Sequence, residues 1–333
     1  MSSSTKFQPA TVQYWEPDNY RDPSDCGFFA APPPKSITRK EVQLHDIRLE
    51  KVEPKLETHG FQVINHKSTL LGNGYSSERF IDANVENIYF PEIIELVKQE
   101  LGATQVFILN SGIRKVKAQD TVMLTSDPTF KRDGPCGLPL DLDLWVLDKP
   151  IMPSVAPKLE PARFHHIDYS PQGARAMLRY ARKDLREAAM DIIAAEDAAA
   201  EKGNIDDYQG RRYAFLSVWR PLETVLCDPL IVLDTKTLVD HTKELIESFN
   251  RQPGLNGPFL AGSYSLSALN ADQHRWLWVS EQKTDEVLAF SLFDSYAVRE
   301  GICSGTPHGS PELKGVPPDM VRKSIEVRLA VLW

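Results

Sequence analysis

Short apolar runs of strand length recur along the chain, at residues 42–49, 61–65, 106–110, 144–147, 213–219, 230–233, 275–279, 287–293 and 324–332. Runs of this size bounded by polar, Gly or Pro turns predict strands. Helical spacing is confined to three stretches. In residues 91–101, Ile93, Val97 and Leu101 share one stripe and Gly102 follows as a stop. Ser170-Pro171 supplies an N-cap and a proline at the first helical position, ahead of Ala174, Met177, Leu178, Ala181, Leu185, Ala188 and Ile192. That stripe predicts one long helix ending before Gly203. A third helix is predicted over residues 237–249. Many strands, few helices and no strand–helix alternation predict a mainly β fold with flanking helices, an antiparallel barrel or double-sheet jelly roll.

Residues 1–40 are polar and rich in Pro and aromatics, and end in Pro32-Pro33-Pro34. They read as an N-terminal arm lying over the body, in which Trp15, Tyr20, Phe28 and Phe29 could serve a lid or a homodimer contact. Residues 41–333 read as a single domain: an α+β part over 41–160, a Pro-punctuated stretch near 150–161, and a part over 161–333 that carries the chemistry. The 333 residues are 42% hydrophobic and 25% charged, which fits a folded protein and not a disordered or collagen-like one. A net charge of −8 has the wrong sign for a nucleic-acid binder. Cys26, Cys136, Cys227 and Cys303 form no CxxC pair and read as reduced thiols of a cytoplasmic protein. The N-terminus has no apolar signal-peptide core, and no run of 18 apolar residues predicts a membrane span.

The sequence His166-Ile167-Asp168 sits in a β-like run, where residues i and i+2 point to one face. Two metal-binding side chains therefore converge, and a 2-His-1-carboxylate site for non-haem Fe(II) needs one more imidazole. His241, His274 and His308 are the downstream candidates. His241 falls in a predicted helix and His274 opens a predicted strand. His308 lies in a Gly/Pro loop and is favoured, because Arg322-Lys323-Ser324 follows fourteen residues later. An Arg and a Ser at i and i+2 on a strand suit the distal carboxylate of 2-oxoglutarate, since the planar guanidinium fork bonds carboxylate in bidentate fashion. Glu326 and Arg328 continue that face, so Arg328 is placed to hold Asp168 or the chelating end of the co-substrate.

The blocks His166–Arg175, Val218-Trp-Arg-Pro-Leu222, Asp228-Pro-Leu230, His274-Arg-Trp-Leu-Trp278, Phe293-Asp-Ser295, His308 and Arg322–Arg328 together resemble the fungal asaB-type hydroxylase/desaturase family, which includes gibberellin desaturase-like enzymes. The resemblance runs from about residue 60 to the C-terminus. It implies a double-stranded β-helix oxygenase of secondary metabolism using Fe(II), 2-oxoglutarate and O2 on a small-molecule substrate by hydroxylation, desaturation or oxidative cyclisation. It places His166, Asp168 and His308 on iron, Arg322 and Ser324 on 2-oxoglutarate, and Arg328 where some relatives carry a second arginine. Trp278 stands where the family has Tyr, Lys323 where it has Glu, and the helical stretch around 191–207 is longer than usual. Tyr169, Arg220 and Trp278 are further candidates for contact with the site or the substrate; Arg114 and Trp145 could line the substrate wall, though a structural role is the simpler reading. Two other classes compete: a metal-dependent hydrolase or isomerase on a cupin-like barrel, which needs no Arg-x-Ser element, and a non-catalytic jelly-roll binding protein, including an oxygenase fold that has lost turnover.

Overall fold

Along β14 (Ser324–Leu332), Ile325, Val327, Leu329 and Val331 pack into one apolar cluster, while Glu326 and Arg328 line a pocket on the opposite face. The period of two that predicts this strand is realised with its charged groups pointing inward. In the structure, a computed structural model, residues 7–17, 34–71, 77–116, 160–317 and 319–333 are described. β14 belongs to a five-stranded antiparallel sheet in the order β3 (Phe61–Asn65), β11 (Glu286–Asp294), β6 (Tyr213–Pro221), β14, β4 (Gln105–Arg114). A nine-stranded sheet runs β13 (Glu312–Leu313), β1 (Phe7–Pro17), β2 (Pro34–Asp46), β10 (Trp276–Trp278), β7 (Ile231–Leu233), β12 (His308–Gly309), β5 (His166–Ile167), β9 (Phe259–Leu266), β8 (Leu245–Gln252). Its pairings are antiparallel except for β10 on β2.

The sheets share a core that takes Val232 and Leu277 from the larger one and Phe215, Phe290 and Leu292 from the smaller. This is the double-sheet jelly-roll arrangement expected. Behind the smaller sheet, α1 (Phe90–Leu101) buries Ile93, Leu96 and Val97 against Leu216, Val218 and Val327. It stops at Gly102, whose φ of 64° is a conformation glycine adopts without strain.

Three predicted elements come out differently. The strand expected at 42–49 is the thirteen-residue β2, which pairs with β1 along its length, so the boundary near residue 40 falls inside a strand. The single long helix is three: α2 (Pro171–Tyr180), α3 (Lys183–Ala188) and α4 (Met190–Glu201). Arg182 breaks it. Its backbone is extended at φ −148° and ψ 144°, and its buried guanidinium donates to the Ile108 carbonyl, beside the bulge where β4 slips against β14. The helix expected at 237–249 is one turn, α5 (His241–Glu244), followed by β8, whose backbone pairs with all eight residues of β9. Tertiary pairing outweighs local helix propensity there. The strand expected at 144–147, Trp145, Cys26, Cys136, Tyr20, Phe28 and Phe29 lie outside the described residues. Cys227 and Cys303 are free thiols. Among the described residues no helix is long and apolar enough to cross a membrane.

Candidate active site

His308 stands directly opposite His166 in the β12–β5 pair, and antiparallel partners place their side chains on the same face. Asp168 follows β5 by one residue, just before Ser170, whose hydroxyl accepts from the Gly173 N–H at 3.1 Å and caps α2. The strand pairing on one side and the helix cap on the other fix the short segment between them. The three side chains meet: the Nε2 of His166 lies 3.3 Å from Asp168 Oδ1, the Nε2 of His308 lies 4.0 Å from Oδ2, and one ligand atom from each falls within 4.8 Å of the others.

Both imidazoles are oriented from behind. The Nδ1 of His166 donates to the Phe164 carbonyl and that of His308 to the Thr306 carbonyl, each at 3.0 Å. With Nδ1 protonated, each Nε2 presents a lone pair toward Asp168. Burial pushes the His308 imidazole down to about 4, and the neighbouring His166 adds to that, so it is a neutral ligand at physiological pH. Burial alone would raise the Asp168 carboxyl. The Arg328 guanidinium outweighs it and holds the carboxyl well below the usual carboxylate range. The Nε of Arg328 stands 2.8 Å from Asp168 Oδ2, yet that oxygen accepts no hydrogen bond within the protein. Two imidazoles with Nε2 turned inward and a carboxylate with an unsatisfied oxygen form the donor set of a non-haem Fe(II) site.

A narrow pocket runs from His166 and His308 past Arg328 and Glu326 to Arg322. Arg322 is 4% exposed. It donates from Nη1 to the Asp228 carbonyl at 2.8 Å and lies over the Trp219 ring, but its Nε has no partner. The Ser324 hydroxyl, fully buried, has none either. A buried guanidinium and hydroxyl left unsatisfied side by side are costly unless an anion completes them. Burial, together with nearby Arg114, pushes the Arg322 guanidinium down to about 9, which binding of an anion would reverse. The pocket thus fits a carboxylate at one end and a chelated metal at the other.

The remaining candidates are sorted by the side of the sheet they occupy. Arg220 faces away from the pocket: it donates to the Tyr89 hydroxyl, the His66 carbonyl and the Thr284 carbonyl on the outer side of the small sheet. It braces the scaffold and is not among the residues lining the pocket. Trp278 packs with Trp276 on the outer face of the large sheet, the reverse of Leu277, so the Tyr-to-Trp departure lies outside the pocket lining. Tyr169 is buried against Phe215 in the core below the pocket. His241 opens α5, and His274 is bound through both ring nitrogens, to Glu244 at 2.6 Å and the Tyr14 hydroxyl at 3.1 Å. Arg114, read as structural, lines the pocket. Sequence reasoning also missed a row of stacked rings, Trp15 on Phe164 and Phe164 on His166, each 4.3 Å apart. Phe164 and His166 are two apart on one strand edge, but nothing local brings Trp15 to them.

The profile of an oxidoreductase family, described as Oxidoreductase/YMDC permease-like domain, matches residues 12–332. The gibberellin cluster GA4 desaturase of Gibberella fujikuroi is 32% identical over 311 residues, spanning 90% of this chain and 89% of its own. The alpha-ketoglutarate-dependent dioxygenase tstK of Talaromyces stipitatus is 25% identical over 324 residues, 97% of this chain and 96% of that one. Among solved structures, a variant of the iron and alpha-ketoglutarate-dependent endoperoxidase NvfI shares the fold with a TM-score of 0.65 at 22% identity, covering 100% of this chain and 99% of that one.

Proposed function

The chain belongs to the fungal hydroxylase/desaturase family that these relatives represent, and on that premise we propose that it is an Fe(II)/2-oxoglutarate-dependent dioxygenase of secondary metabolism. It oxidises an unactivated C–H bond of a small molecule by hydroxylation, desaturation or cyclisation. The observation that carries this reading is a pair of unsatisfied features: the His166/Asp168/His308 donor set, whose two imidazoles line the pocket, and the orphaned Nε of Arg322 on the same pocket's wall, with the orphaned Ser324 hydroxyl two residues further along the chain. A hydrolase or isomerase needs the first but not the second. We place the enzyme in the cytosol, a setting that keeps thiols such as Cys227 and Cys303 reduced.

His166, Asp168 and His308 hold the iron, while Arg328 keeps the Asp168 carboxylate ionised and aimed. Arg322 and Ser324 take the distal carboxylate of 2-oxoglutarate and so set which way its keto-acid end points. Bound iron, 2-oxoglutarate and O2 supply the oxidising power, with decarboxylation to succinate. The protein's share is orientation of the substrate C–H bond and exclusion of water, tasks of the apolar walls and the ring row ending at His166.

The test is an anaerobic optical titration of metal-free protein with Fe(II) and then 2-oxoglutarate. A weak visible charge-transfer band is expected in the wild type and is expected to vanish in His308→Ala and Asp168→Ala, with circular dichroism unchanged. Iron binding without a band would favour the hydrolase or isomerase class, and absence of iron binding a non-catalytic binding protein.

A further inference from the structure

Arg114 occupies the position on β4 directly opposite Ser324 of β14, so its side chain rises from the same face as Ser324, Glu326 and Arg328. It lines the pocket that reaches from the two histidines to Arg322. Its side chain is 19% exposed. One nitrogen donates to the Glu160 carbonyl; its approach to Glu326, 3.6 Å between Nη2 and Oε2, is an ion-pair distance, longer than a hydrogen bond. Glu326 itself is shared, accepting from Ser217 at 3.0 Å and from Arg328 at 3.3 Å. Three guanidiniums therefore face this pocket, with Glu326 the carboxylate among them and Asp168 engaged by Arg328 at its far end. Like charges gathered in a buried space repel unless an anion enters between them. The repulsion is felt at Arg322, whose guanidinium is driven down by burial first and by Arg114 next.

We propose that Arg114 is a second guanidinium of the co-substrate site, gripping the distal carboxylate of 2-oxoglutarate from the strand opposite Arg322 and Ser324. This rests on the oxygenase reading above. A carboxylate held by two guanidiniums and a hydroxyl has its oxygens satisfied from two strands, which fixes both the reach and the tilt of a five-carbon diacid. Glu326 then acts as the spacer that keeps Arg114 and Arg328 apart, one at each end of the same ligand. The arrangement makes the site selective for a 2-oxo diacid over a 2-oxo monoacid of equal length, because only the diacid neutralises the far end.

The experiment measures binding of two probes to the Fe(II)-loaded protein under anaerobic conditions, through the chelate absorption band: 2-oxoglutarate, and 2-oxopentanoate, which chelates alike but lacks the distal carboxylate. In Arg114→Gln, 2-oxoglutarate is expected to bind about 10–100-fold more weakly, the range for losing a charge-assisted contact. Binding of 2-oxopentanoate is expected to stay within twofold of wild type, which also reports that the variant is folded and its metal site intact. Arg114→Lys, which keeps the charge but loses the fork, should fall between. Equal weakening for both probes would overturn the proposal in favour of a structural Arg114, and no weakening for either would overturn it outright. A wild-type protein that binds Fe(II) but shows a band with neither probe would remove the oxygenase reading itself and this proposal with it.

Discussion

His274 and His308 show what a single residue's surroundings decide. Both are buried, and both lie on strands or at strand ends of one sheet. His274 spends Nε2 on Glu244 and Nδ1 on the Tyr14 hydroxyl, so it ties the N-terminal strand to the body and has no lone pair to offer. His308 spends only Nδ1, on a backbone carbonyl, and turns Nε2 toward Asp168. The two variants should therefore fail in opposite ways. His274→Ala leaves the buried Oε2 of Glu244 without its imidazole partner, a loss of about 1–3 kcal/mol. It should lower the thermal midpoint while keeping the Fe(II)/2-oxoglutarate band. His308→Ala should lose the band and keep most of its stability. A His274→Ala protein that no longer forms the chelate would put His274 into the metal site after all.

At the scale of elements, the short β5 is the critical piece. Two residues of strand carry a ligand, and the next residue carries another, so the segment depends on what grips it. On the α2 side it is pinned to β9: the Ser170 N–H donates to the Gly262 carbonyl at 2.9 Å. Gly173, in the first turn of α2, sits so close to β9 that an added Cβ would lie 1.9 Å from the same Gly262 carbonyl oxygen. Gly173→Ala must push α2 away from the sheet, at a cost of about 1–3 kcal/mol. The displacement begins five residues past Asp168, so we expect weaker Fe(II) binding, read by titration, alongside the lower denaturation midpoint. Unchanged metal affinity in a destabilised variant would mean that the β5–β12 pairing alone positions the triad. Legibility varied among elements for a similar reason. β14 and α1 carry their periodicity in their own residues and were readable with bounds nearly unchanged. The break at Arg182 was not, because its cause is a carbonyl on β4 some seventy residues earlier. β8 was not, because its strand state is imposed by β9.

The whole molecule sets the pH response. Burial pushes His165 down to about 3 and His308 down to about 4, both from an ordinary value of 6.5. Each is neutral when folded, whereas in the unfolded chain each takes up a proton below about 6.5. The unfolded state then binds more protons, so stability is complete above about 6.5 and falls as pH drops toward 4 and then 3. At pH 4.5 each histidine should cost the metal-free fold about 2–3 kcal/mol. Urea midpoints of metal-free protein at pH 7 and pH 4.5 would check this, and equal midpoints would show that neither imidazole is held neutral. Loaded iron should shift the loss to lower pH, since a metal competes with protons for the Nε2 of His308.

What the amino-acid sequence determined by itself was everything written in short periods. The alternation along β14 places Ser324, Glu326 and Arg328 on one face, His-x-Asp pairs two ligands, Ser-Pro starts α2, and the sum of strands over helices sets a mainly β jelly roll. These follow from geometry within a few residues, where strand and helix periods leave little choice. Only the tertiary structure brought His308, favoured by the sequence, opposite His166, turned Arg220 and Trp278 away from the pocket, and set Arg114 in its lining. Those outcomes depend on strand order and register. A side chain's face is a local property, but what lies across from it is set by pairings between segments more than a hundred residues apart, whose energies no local pattern contains.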